Sequence, residues 1–267
     1  MREFFGFGGY RRTPEGYLSW QHLLFASILM LIMFSSAWLL GRRNKHFEPK
    51  IKNRVMIWAA VLIDSIELFK IVLICVRSND PWNWLHNLPL FLCSIQLIVI
   101  PMAAFCKGRL RDAALDFVLI FGIVGAVLGV YFAGQNYSAY PVICFDNVLS
   151  GITHSMSGFC SLYIIFSDMT SMKRSDIGIC FGILSGFCIL AYAANHLVNY
   201  NYMFLMSGDG TPYDILYNIL GGDPILYPIG VVALFFAYIT LFYHLYYLTS
   251  YKKQKPTDNH YLSAIER

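Results

Sequence analysis

Apolar residues gather into seven stretches of about bilayer length, at 19–41, 54–76, 84–105, 112–132, 146–167, 176–199 and 225–249, with short polar segments between them. A run of about 20 apolar residues in helical form crosses a hydrocarbon core of about 30 Å, so each stretch predicts one transmembrane helix. Lipid offers the backbone no hydrogen-bond partner, which makes helix the expected state throughout. The longest connection, 200–224, holds Gly208, Gly210, Pro212, Gly221, Gly222 and Pro224, which predict turns, while Asp214 to Leu220 predicts a short interfacial helix. The expected fold class is therefore all-α, a polytopic bundle of about seven transmembrane helices over 19–249. An amino-terminal segment, 1–18, precedes it, and a polar tail, 250–267, expected to be disordered, follows it.

Charge adds an orientation. Arg42, Arg43, Lys45, Lys50, Lys52 and Arg54 lie between the first two stretches, Lys107, Arg109 and Arg111 after the third, Lys173 and Arg174 after the fifth, and Lys252, Lys253 and Lys255 after the seventh. The alternate connections carry Arg77 and almost no other basic residue, so the positive-inside rule places the amino terminus outside and the carboxyl terminus in the cytoplasm. The first 18 residues lack the short apolar core and small-residue cleavage site of a signal peptide, and the first span is expected to be kept.

Composition agrees: 57% of the 267 residues are hydrophobic and 13% charged, which excludes an ordinary soluble domain and leaves no length for a second one. The basic edge reads as topology and contact with anionic lipid headgroups, not nucleic-acid binding. The seven cysteines form no CxxC pair and lie mostly in apolar stretches, so neither a metal site nor a cofactor is implied. Cys75 and Cys144 alone fall near outer ends, where a disulfide between them is one option.

Polar side chains inside the spans carry the candidate chemistry. Asp64, Glu67 and Lys70 follow one another at three-residue spacing along one side of the second span. An unpaired ion near a helix centre costs about 2.5–3.5 kcal/mol, so these residues face protein or water, as a Glu67–Lys70 packing pair or as part of a polar cavity. Cys93, in the third span after His86 and Pro89, and His154, in the fifth, both lie roughly 12–14 Å below the outer end at helical rise. Equal depth permits a thiol–imidazole pair able to attack a carbonyl. Each residue alone reads more simply as packing. Small residues surround His154, among them Ser150, Gly151, Thr153, Ser157 and Gly158, which allow close helix approach. Asn195, His196, Asn199 and Asn201 mark an outer polar ring or the membrane boundary.

Leu88-Pro89-Leu90-Phe91-Leu92-Cys93, the later His154, Asn195, Asn201-Tyr202-Met203-Phe204-Leu205 and the Gly222-Asp223-Pro224 to Tyr227-Pro228 region together resemble the transmembrane protein 164 family, including its bacterial YwaF-like members. The resemblance covers spans two to seven, and Asn-Tyr-Met-Phe-Leu is its most specific part. It implies a seven-helix membrane protein with acyltransferase activity that moves a fatty acyl chain between phospholipids, with Cys93 as nucleophile and His154 as base. Many bacterial relatives have His two positions before the Cys, where this chain has Phe91.

The leading expectation is thus transacylation in a cell membrane. Phospholipid and lysophospholipid would be the partners, and Glu67, His86, Asn195, Asn201 and Tyr202 would support the Cys–His pair. A transporter or channel using Asp64, Glu67, Lys70, His154 and His196 is the rival from another class, followed by a structural or sensing role. A seven-helix receptor is disfavoured, because the last span has no lysine for retinal and the expected receptor motifs are missing from the helix ends.

Overall fold

The computed structural model describes residues 2–170 and 172–254, and within that range the chain is helical, without strands. The elements are α1 (Trp20–Asn44), α2 (Pro49–Ser78), α3 (Gln96–Phe105), α4 (Gly108–Tyr131), α5 (Gly134–Ala139), α6 (Phe145–Phe166), α7 (Ile177–Val198), α8 (Tyr213–Ile219) and α9 (Leu226–Gln254). Short 3-10 turns lie at Asn83–Asn87, Arg174–Asp176 and Tyr202–Phe204. The polar tail read from the sequence falls, beyond residue 254, outside the described residues.

Five of the expected spans are helices long and apolar enough to cross a membrane. A sixth, α2, is 30 residues long but carries Asp64, Glu67 and Lys70 in its middle. The third expected span departs from the reading. It is not one helix over 84–105 but a 3-10 turn, an irregular stretch over 88–95 and the ten-residue α3. Pro89 has no amide to donate and pushes its predecessor out of helical space; Leu88 accordingly sits at φ −63, ψ 148. Non-helical backbone at this depth survives only where protein or a cavity surrounds it.

The element ends sort into two groups. At the basic end, Lys45 pairs with Asp168 at 3.2 Å, Lys173 with Asp112 at 3.2 Å and Arg109 with Asp176 at 3.8 Å. At the other end the amino-terminal segment folds over the bundle. Arg77 of α2 grips both oxygens of Asp146 at the start of α6, at 2.7 and 3.1 Å. Tyr10 donates to the same carboxylate at 2.6 Å, and Glu15 accepts from the Val142 amide at 2.8 Å.

The bundle is built around α4, whose residues 113–122 are all buried. An all-round apolar helix belongs in the middle of a bundle, and α4 packs against α1, α3, α6 and α7. Small residues let α6 approach it closely: a Cβ on Gly122 would lie 2.7 Å from the Ser157 carbonyl, and one on Gly158 would lie 2.6 Å from the Ala126 methyl. Near the basic end α4 buries Asp116, which accepts from Tyr243 of α9 at 2.6 Å and from Thr170, tying the last helix and the α6–α7 connection to the core. The short outer helix expected over Asp214–Leu220 is α8. Cys75 and Cys144 remain separate thiols.

Candidate functional site

The broken third span brings Cys93 to the start of α3 and not onto a helix. After Pro89 the chain turns, Ile95 donating to the Phe91 carbonyl at 2.9 Å and Gln96 to that of Cys93 at 3.4 Å. Among the described residues the amides of Leu92, Cys93 and Ser94 find no acceptor. They form the half-buried amino end of a helical run, where N–H groups without a backbone acceptor and the helix dipole favour negative charge. The Cys93 sulfur lies 3.9 Å from the Ser94 hydroxyl.

His154, two and a half turns into α6, lines the same cavity of about 240 Å³ as Cys93. Both side chains are half-buried and line that space. The fit is set by two glycines of α4. A Cβ on Gly129 would fall 2.5 Å from the His154 Nε2, and one on Gly125 would stand 3.7 Å from the Cys93 Cβ. The two glycines are one turn apart, about 6 Å along the helix, so α4 seats thiol and imidazole at neighbouring levels. Neither glycine was singled out from the sequence, although the spacing Gly122, Gly125, Gly129 is a signal for close packing on one helix side. Equal depth by helical rise does not apply to Cys93, because the stretch leading to it is irregular. The two residues share a cavity because an irregular loop dips into the bundle.

Glu67 and Lys70 of α2 line this cavity as an ion pair at 2.6 Å. Both sequence readings of them therefore meet: they pair, and they face polar space. Glu67 is not bonded to His154 among the described residues; its partner is Lys70. Ser150, Thr153 and Ser157 of α6, Ser94, His86, Asn87 and Asn136 of α5 also belong to the polar lining. His86 belongs to the 3-10 turn and packs against Tyr200, with ring centroids 5.2 Å apart and planes tilted by 53°. It does not share a helix face with Cys93, but it does share the cavity.

Asn195, Asn201 and Tyr202 stand behind the Cys loop. Asn195, 2% exposed, accepts from the Tyr202 amide at 2.6 Å and donates to its carbonyl at 3.0 Å, so its carboxamide is already engaged. The fully buried Tyr202 sends its hydroxyl to the Leu85 carbonyl and accepts from the Leu88 amide at 3.2 Å. Asn201 ties the following loop, donating to Asp209 at 2.6 Å and accepting from the Met206 amide at 2.9 Å. Met203 and Phe204 hold consecutive left-handed conformations, φ 56 and 57, a strain that the surrounding bonds must hold in place. A wider cleft of about 500 Å³ lies beyond, lined by Asn195, His196, Asn199, Asn201 and Asp209. Phe91 and Tyr200 belong to the walls of both spaces, and Phe91 also packs edge-on against Tyr202 at 5.2 Å.

This is a polytopic all-α membrane protein with a polar cavity built on a broken span. A model of the TMEM164 family matches residues 17–248, nearly the whole chain, and the chain belongs to that family. No match is found among curated proteins or among solved structures.

Proposed function

We propose that the chain is a lipid acyltransferase that works through an acyl-thioester on Cys93 in the outer half of a cell membrane. The observation that carries this reading is the one cavity lined by both Cys93, at the start of α3, and His154, each beside a glycine of α4. At about 240 Å³ it has room for an ester group and a few neighbouring carbons, about eight waters' worth of volume. The acyl chains would extend towards lipid.

His154 takes the proton from the Cys93 thiol, and the thiolate attacks the ester carbonyl. The oxyanion that forms is met by the free amides of Leu92, Cys93 and Ser94. As the ester C–O bond breaks, His154 returns the proton to the leaving lysolipid alkoxide, and the acyl group stays on sulfur. In the second half His154 takes the proton of an acceptor hydroxyl, which attacks the thioester. The new ester leaves and the thiol is restored. Asn195, with its carboxamide engaged by Tyr202, is a support for the loop and not an oxyanion donor.

The transport reading receives less support. Glu67 and Lys70 pair with each other, and the core towards the basic end is closed by buried apolar residues including Ile63, Val99, Ile100 and Leu119. The distribution of basic residues puts that end in the cytoplasm and the cavity mouth outside.

The test is mass spectrometry of the purified protein after incubation with labelled phospholipid. Hydroxylamine-sensitive acyl mass on the Cys93 peptide, lost in His154→Ala, is expected. An unmodified Cys93 across several lipid classes, or full acyl transfer by Cys93→Ser together with His154→Ala, rejects the mechanism.

A further inference from the structure

The wider cleft of about 500 Å³ differs in chemistry from the Cys93 cavity beside it. Among the described residues no Lys or Arg lines it, and Asp209 gives it a negative charge. One oxygen of that carboxylate accepts from the Ser207 hydroxyl and the other from the Asn201 carboxamide, both at 2.6 Å, which leaves each oxygen a further lone pair. Gln135 of α5 donates to the Asp209 carbonyl at 3.1 Å, and its own side-chain oxygen remains able to accept. The side chains of His196, Asn199 and Tyr200 line the cleft without a hydrogen bond among the described residues, and they add donors to these acceptors. Phe91, Tyr200 and Phe204 contribute ring surface, Phe91 lying 6.1 Å from the Tyr200 ring and 5.9 Å from that of Phe204.

These groups select among headgroups. An anionic one would meet the Asp209 carboxylate with no cation to offset it. An ammonium would use the acceptors and leave every donor without a partner. Hydroxyls both donate and accept, and a sugar ring also has C–H faces that lie against aromatic rings, so a neutral sugar uses all three kinds of surface. We propose that this cleft binds the sugar headgroup of a glycolipid at the outer face of the membrane, and that such a lipid, with one free glycerol hydroxyl, is the acyl acceptor. Phe91 and Tyr200 are walls of both spaces, so a headgroup in the cleft holds its glycerol beside the Cys93 cavity. The sugar site stands on the cleft residues, whereas the acceptor role rests on the acyl-transfer reading.

The test is equilibrium binding to the full chain with Cys93→Ala, in a polyoxyethylene detergent so that no sugar headgroup competes. The probes are single-chain oleoyl lipids: glucosylglycerol, galactosylglycerol, unsubstituted glycerol, lysophosphatidylglycerol and lysophosphatidylethanolamine. At least one glycosyl lipid is expected to bind about tenfold more tightly than the other three classes. The His196→Ala, Asn199→Gly double variant should cut that preference to under about threefold; Asn199 sits at φ 49, where glycine is at ease, and His196 is exposed, so the fold is not at stake. Asp209→Asn should keep the preference within about threefold, because an amide still bonds hydroxyls, and should strengthen binding of lysophosphatidylglycerol by removing the repulsion. Equal binding of the glycosyl lipids and oleoylglycerol overturns the proposal, as does undiminished preference in the double variant. A preference for lysophosphatidylethanolamine that disappears in Asp209→Asn overturns the sugar in favour of an ammonium group. Acyl-Cys93 does not form in this assay, so a missing thioester would reject the catalytic reading and leave the sugar site standing. A thioester discharged as fast by oleoylglycerol as by the glycosyl lipid would reject the acceptor role alone.

Discussion

Gly129 sets the position of the His154 ring more directly than any polar neighbour does. A methyl there would sit 2.5 Å from the ring, whereas one on Gly125 would make ordinary contact with Cys93 at 3.7 Å. Gly129→Ala must therefore push the imidazole away, and Gly125→Ala need not move the thiol. Acylation of Cys93 is expected to fall by at least about tenfold in Gly129→Ala, since a displacement of about 1 Å is enough for such losses. Gly125→Ala should stay within about threefold of wild type, helped by the better helix propensity of alanine. Equal acylation rates in the two variants would show that α4 does not position the pair.

The irregular stretch over 88–95 is held by Tyr202, and Tyr202 by Asn195. This gives Tyr202 of the most specific family segment a physical reason: the Asn195 carboxamide fixes its backbone, and its phenol fixes both sides of the turn before Pro89. Tyr202→Phe keeps the ring packing against Phe91 but strands the Leu85 carbonyl and the Leu88 amide, a cost of about 1–3 kcal/mol for each group that stays dry. The loosened loop should expose Cys93, read as faster alkylation by a small maleimide with little change in overall helicity. An unchanged alkylation rate would mean that the loop is held by other contacts. Phe91 sits on the same aromatic wall. A histidine there would place an imidazole at the wall that the two cavities share.

Opposite the basic edge, residues 2–18 lie against the bundle and link α2, the α5–α6 connection and α6 through Arg77, the Val142 amide and Asp146. Burial opposes the charge on Glu15, but the Val142 amide and Arg12 outweigh it and hold the carboxyl below its usual range. A depressed pKa means that the ionised carboxylate is favoured by folding. Its contribution is present at neutral pH and lost as pH falls through the lowered value. The segment should then detach in acid, seen as faster cleavage after Arg11 or Arg12 by an acid-tolerant protease, and Glu15→Gln should show the same cleavage at neutral pH. Cleavage that does not change with pH in the wild type would place the hold on Arg77 and Asp146 instead.

Hydrophobic run length by itself determined that this chain is an all-α membrane protein, because the bilayer imposes one thickness and one hydrogen-bonding rule on every span. The basic residues fixed which ends lie together for the same reason, and Lys45, Arg109 and Lys173 do gather at one end. Cys93, His154, Glu67 and His86 were legible as candidates, since a polar group in an apolar run stands out. What the sequence could not give is how these groups meet. A helix through 84–105 satisfied the run-length rule against two prolines, Pro89 and Pro101, and the chain breaks at the first while α3 continues through the second, with Tyr202 bonded to Leu85 and Leu88 at the break. The roles of Gly125 and Gly129 likewise depend on what another element places opposite them, and that is decided by close packing, which has no period along the chain.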